Sequence, residues 1–170
     1  MFSLPAPRYT VEDWQAWSGD WELWEGQPVA LASPSKAHQL LLRRLANALE
    51  AALEQQSRGY DVIMDVDWRV NQETVFRPDI SVVCGDDHPG FVARAPRLIV
   101  EILSPSTRQN DLLTKKFQFE RYGVAHYLTI DPAERALQRQ FGDSSGDTEE
   151  KLDLPLLDRC RVTLPRVVQV

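Results

Sequence analysis

"FRPDISVVCGDDHPGFVARAPRLIVEILSPSTRQND", residues 76–111, holds two apolar stretches of the kind that form buried strands. Each carries one carboxylate where a core should be apolar: Asp79 inside "FRPDISVV" and Glu101 inside "RLIVEIL". An ionised carboxylate in an apolar sheet is costly unless it is paired or holds a metal. One such acid is explained by an arginine, and Arg77 and Arg97 stand close in sequence. Two acids on consecutive strands ask for more. If the strands are neighbours, the side chains meet across a few ångström. They then repel, and one takes up a proton unless a cation lies between them. Oxygen ligands suit a hard divalent ion, Mg²⁺ or Mn²⁺. By the same reasoning Asp79→Asn is expected to raise the melting temperature of the metal-free protein.

The flanking sequence supplies the rest of a layered fold. "LSPST" ends the second strand, and a helix is expected over about 110–122, with Gly123 as its C-terminal cap. It carries Lys115 and Lys116, and Asp111 lies one turn before Lys115. Asp111 reads first as an acid favoured by the helix dipole. "AHYLTIDP" is another buried strand, and "ALQRQF" reads as a further one. The segment 85–96 has Gly85, Pro89, Gly90 and Pro96 and is expected to be a loop.

Upstream, Thr10 and Asp13 suggest a capped helix over roughly 10–18. "WELWEGQPVALAS" reads as a hairpin turning at Glu25–Pro28. From Ser35 to about Gln56, Leu40, Leu41, Leu45, Leu49 and Leu53 recur at helical spacing. "YDVIMDVDWRV" alternates as one strand over about 60–70. Residues 151–168 suggest one or two short edge strands. The whole is expected to be one domain, residues 1–170, of α/β (α+β) class: a mixed central sheet flanked by helices, with an N-terminal helix and β-hairpin.

Composition narrows the functional classes. The chain has 170 residues and a formal net charge of −6, which argues against a protein that coats nucleic acid nonspecifically. Arg43, Arg44, Arg94, Arg97 and Arg108 leave a local basic groove open. Cys84 and Cys160 match no zinc spacing, so a reducing cytoplasm is expected. No apolar run approaches a membrane span, and "MFSLPAPRYT" lacks the pattern of a secretory leader. Trp14, Trp17, Trp21 and Trp24 read as packing residues before they read as a stacking platform. His38, near the start of the long helix, could approach the site, and His88 with Asp86 and Asp87 makes a weak metal constellation, but a packed or surface histidine and a solvated loop are the first readings; His126 reads as structural.

The order "RPDISVV", "LIVEILSPST", Asp111-x-x-x-Lys115, Gly123-Val124 and "HYLTIDP" resembles the Uma2 (DUF820) family of restriction-endonuclease-like proteins, of the PD-(D/E)xK superfamily. "WELWEGQPVALASPSKAHQ" is similar to that family's N-terminal segment, and the likeness covers roughly residues 9–140. The resemblance implies Mg²⁺- or Mn²⁺-dependent hydrolysis of phosphodiester bonds, with DNA as the partner and a homodimer as the assembly. Pro78-Asp79 matches the "PD", and Glu101 matches the second acid. In many relatives the lysine stands two residues after that acid, where this chain has Leu103. Lys115 matches a lysine moved onto the helix, with Lys116 as rival. The carbonyl of Ile102 would join Asp79 and Glu101 on the metal. Glu22 or Glu25 matches an additional N-terminal acid, and Gln118 with Tyr122 has the spacing of a motif in related nucleases. Phe119 and His126 depart from the family's usual residues. The competing expectation is a catalytically silent relative that binds nucleic acid or assembles as an oligomer.

Overall fold

A computed structural model describes residues 6–54, 59–157 and 160–168. The elements are α1 (Val11–Gln15), β1 (Trp21–Trp24), β2 (Gln27–Ala30), α2 (Lys36–Glu54), β3 (Tyr60–Met64), β4 (Trp68–Asn71), β5 (Thr74–Phe76), β6 (Ile80–Cys84) and β7 (Leu98–Ile102). A π-helical turn (Asn110–Lys115) then runs into α3 (Lys116–Arg121), followed by β8 (His126–Ile130), β9 (Leu137–Phe141), β10 (Lys151–Leu157) and β11 (Cys160–Pro165). The central sheet has the order β3-β6-β7-β8-β9. Within this sheet, among the described residues, only β7 and β8 pair in parallel, across the crossover that contains the π turn and α3. A second sheet, β2-β1-β5-β4, carries the N-terminal hairpin. The mixed α+β architecture expected from the sequence is the one observed.

Strand parity decides what each face of the central sheet does. Ile80 and Val82 of β6 and Leu98, Val100 and Ile102 of β7 pack against Leu41, Leu42, Leu45 and Leu49 of α2. The odd-numbered partners turn the other way. Val83 and Ile99 join Trp68, Phe76, Phe119 and Tyr127 in a second core under α3. Glu101 shares that parity with Ile99, so the alternation that buries Val100 under α2 aims Glu101 at the opposite layer.

Four departures from the sequence reading have physical causes. The stretch 60–70 is two strands in two sheets, because the chain turns at Asp65, whose φ of +54° is left-handed. The stretch 76–84 likewise divides: Phe76 ends β5, and β6 starts only at Ile80. Pro78 lies at that break, having no N–H for a ladder. The helix over 110–122 begins as a π turn. The tail forms a paired hairpin whose Leu152, Leu154 and Leu156 enter the α2 core, where short edge strands were expected.

Other expectations are matched. Thr10 and Asp13 form the reciprocal cap of α1, which is shorter than 10–18. Gly123 ends α3 with a φ of +86°. Residues 85–96 form a loop, tied to β4 by a single bridge from Val92 to Trp68. The expected end of the long helix at Gln56 lies outside the described residues.

Because Leu49 is wholly buried between α2 and the sheet, Leu49→Ala is expected to cost about 2–5 kcal/mol in urea unfolding. Glu50→Ala, one residue on and exposed, should stay within about 0.5 kcal/mol.

Candidate active site

The break between β5 and β6 places Asp79 immediately before β6, whose register pairs Ile80 with Val100. Asp79 therefore sits beside Glu101, and its N–H donates to Glu101 Oε2 at 3.4 Å. Asp79 Oδ2 accepts the backbone N–H of Ile102 at 2.6 Å. His38, near the start of α2, brings its Nε2 to 3.2 Å from both Asp79 oxygens. Two donors from two elements thus fix the carboxylate.

Lys115 arrives from above. Its Nζ donates to Glu101 Oε1 at 2.8 Å and lies 3.3 Å from Glu22 Oε1 and 3.7 Å from Asp111 Oδ1. Lys115 is 5 % exposed and Glu101 3 %, so solvent screens this contact little. The π turn brings Asp111 and Lys115 onto one side, and the Tyr127 hydroxyl pins it by donating to the Asp111 carbonyl at 3.0 Å. Such turns recur at functional sites. Glu22, on β1, accepts the Arg77 N–H at 2.7 Å and the Trp24 indole N–H at 2.9 Å. The second sheet thereby contributes an acid to a site built on the first.

Four carboxylates, Glu22, Asp79, Glu101 and Asp111, face one ammonium and one imidazole. Arg77 does not relieve them, since its guanidinium is bound by Asp20 and Asp67, each at 2.8 Å. Arg97 is turned to the Leu156 carbonyl. Burial, with neighbouring acids adding to it, raises two of these groups. Burial pushes Glu101 well above the ordinary carboxylate range, and Lys115 offsets this only in part. Burial raises Asp111 likewise, again against Lys115. Burial alone would push Lys115 down, but Glu101, Glu22 and Asp111 overcome it and hold the ammonium charged. The hydrogen bond to Asp79 raises His38 against the effect of burial. The crowding of acids foreseen from the sequence is present, but an ammonium meets it. Among the described residues that ammonium pairs with Glu101, Glu22 and Asp111 and not with Asp79, whose charge still raises Glu101. The gain in melting temperature expected of Asp79→Asn is opposed by the loss of one carboxylate oxygen facing His38 and Ile102.

Asp79, Glu101 and Asp111 open on a cleft of about 580 Å³ whose walls include two Ser-Pro segments, Ser33–Ser35 and Ser104–Thr107, while Glu22 is buried outside the cleft lining. Asp79, Glu101, Ile102, Asp111, Lys115 and His38 all line it. The other sequence candidates lie elsewhere. Glu25 sits in the hairpin turn, bound to Arg121 and, at 3.4 Å, to the Tyr122 hydroxyl. Lys116 is half-buried and outside the cleft lining. Gln118 is buried in α3, its Oε1 without a hydrogen-bond partner among the described residues, outside the cleft lining. Sequence reasoning gave His38 and Asp111 structural roles and did not single out Asp65, which also lines the cleft. The Asp111–Lys115 spacing was the available signal for Asp111 and the histidine after the Ser-Pro turn the signal for His38; nothing local marked Asp65.

A family model described as "Putative restriction endonuclease", Uma2, matches residues 10–164. The chain belongs to the Uma2 family. A crystal structure described as that of a putative nuclease belonging to DUF820 from Anabaena variabilis ATCC 29413 aligns with a TM-score of 0.63. The two share 20% identity over 79% of this chain and 81% of that one, which establishes the likeness of fold. No curated protein matches the chain. In this Uma2 chain the described residues include no helix long and apolar enough to cross a membrane.

Removing the ammonium leaves buried acids uncompensated, so Lys115→Met is expected to lose about 3–5 kcal/mol near neutral pH. The pH dependence has a definite sign. Glu101 and Asp111 are raised in the fold, so above their ordinary values the folded state binds more protons than the unfolded one. Its stability therefore falls as pH rises. Without Lys115 both groups rise further, and the deficit should shrink as pH is lowered toward the ordinary carboxylate range. Urea unfolding across pH reads this; a deficit independent of pH would contradict it.

Proposed function

We propose that this Uma2 chain is a divalent-metal-dependent endonuclease-like phosphodiesterase acting on nucleic acid, with DNA as the first substrate to test. The observation that carries the reading is the meeting of Asp79, Glu101 and Lys115 in one cleft, each brought from a different element. Hard oxygen donors beside surplus negative charge fit Mg²⁺ or Mn²⁺. Among the described residues, no three His, Cys, Asp or Glu side chains form a ligand group for one ion. Asp79 and Glu101 would therefore hold it as a pair, with the Ile102 carbonyl and waters completing the shell, as suits Mg²⁺. Bound there, the ion supplies Lewis acidity that activates water and offsets charge on the phosphate.

The chain's own groups do the rest. His38 and the Ile102 N–H hold the Asp79 carboxylate in one orientation. Glu22 and Asp111 keep the Lys115 ammonium charged and steer it toward the cleft. Lys115 there orients the attacking water or meets charge growing on the phosphoryl oxygens. We read residues 1–170 as one catalytic domain with one cleft, so cutting both strands of a duplex calls for a homodimer.

The acid-rich cleft wall and the net charge of −6 favour a second reading, a silent relative that binds nucleic acid or only assembles. Plasmid nicking and metal calorimetry separate the two. The first reading predicts nicking with Mg²⁺ or Mn²⁺ and measurable metal binding, both lost in Asp79→Ala and Glu101→Ala. Lys115→Met should retain metal binding and lose about 10²–10³-fold in rate. Metal binding unchanged in both acid variants would reject the site.

A further inference from the structure

Charge along α2 is segregated. Residues 36–49 hold Lys36, Arg43 and Arg44 and no acid, and the acids of this helix begin at Glu50. Lys36 and Arg43 are both exposed. Seven residues separate them, which places them on one face about 10 Å apart along the axis. Neither makes an ion pair among the described residues. The other cations near the cleft are committed: Arg77 to Asp20 and Asp67, Arg108 to Asp131, and Lys115 to its acids.

Lys36 and Arg43 edge a groove of about 520 Å³ between α2 and β3, floored by Leu40 and Met64. Met64 is 43% exposed, unusual for so large an apolar side chain in a strand. Asp65 lines both this groove and the active cleft, so the two meet at that residue. Gln39, also in the groove, hydrogen-bonds the Asp65 carboxylate.

We infer that this groove carries a single polynucleotide strand away from the cleft, with its phosphates against Lys36 and Arg43 and an unpaired base over Leu40 and Met64. The inference rests on the nuclease reading and extends it to the form of the substrate. Uncommitted cations on an acidic protein fit a polyanion. The apolar floor fits exposed bases, which a duplex keeps stacked inside itself.

The test is fluorescence anisotropy with a labelled single-stranded oligonucleotide and the matching duplex, in EDTA, over a range of salt. Lys36→Ala/Arg43→Ala is compared with Lys151→Ala/Arg135→Asn, which removes equal charge from the β10 side. Two lost contacts to a single strand should flatten the slope of log K against log salt by about 1.4. The control pair should leave the slope unchanged, and Met64→Ser should weaken the single strand more than the duplex. Equal losses in both pairs, or a preference for duplex that Met64→Ser leaves intact, would overturn the inference. If Mn²⁺-dependent cutting persists while the α2 pair changes neither the slope nor KM, the groove fails and the nuclease reading stands. A protein that neither binds nor cuts overturns both.

Discussion

The contact between Lys115 Nζ and Glu101 Oε1, 2.8 Å long and almost wholly buried, is the constraint on which the rest depends. It joins the crossover helix to the central strand β7. Through Glu22 at 3.3 Å it also joins the N-terminal sheet to both. Removal of one partner would leave charge stranded in a medium that solvates it poorly. The chain has surrounded that ammonium with three acids, where a structural pair needs one. An arrangement with surplus negative charge is held against stability, as sites kept for function are.

Much of this was legible because burial and charge conflict visibly in a sequence. Asp79 and Glu101 stand out by interrupting apolar strands, and antiparallel pairing of β6 with β7 makes them neighbours. Lys115 followed from the helix expected after "LSPST". What could not be read was direction across the third dimension. Glu22 and Glu25 are three residues apart in a hairpin; one is buried under Arg77 and the other ends in the turn with a φ of +47°. Only the docking of the second sheet on the first separates them. His38 acquires its role from the angle at which α2 passes Asp79, which helical periodicity does not encode.

Strand boundaries failed for a related reason. Apolar alternation reports that a residue is buried and not which sheet buries it. "FRPDISVV" reads as one strand although Phe76 and Ile80 belong to different sheets. The proline that divides them is the residue before Asp79, so the same break frees the carboxylate from the ladder and points it into the cleft. Likewise the turn at Asp65 ends β3 where the cleft meets the groove beside α2. In both places an irregularity of the backbone coincides with a functional position.

The most direct measurement is anomalous diffraction from a crystal soaked in Mn²⁺. The account predicts one strong peak between the carboxylates of Asp79 and Glu101, with the Lys115 ammonium on the cleft side and in contact with at least one of Glu22 and Asp111. A peak bound by other residues, or no peak in a fully soaked crystal with the acids and lysine on different faces of the sheet, would contradict it.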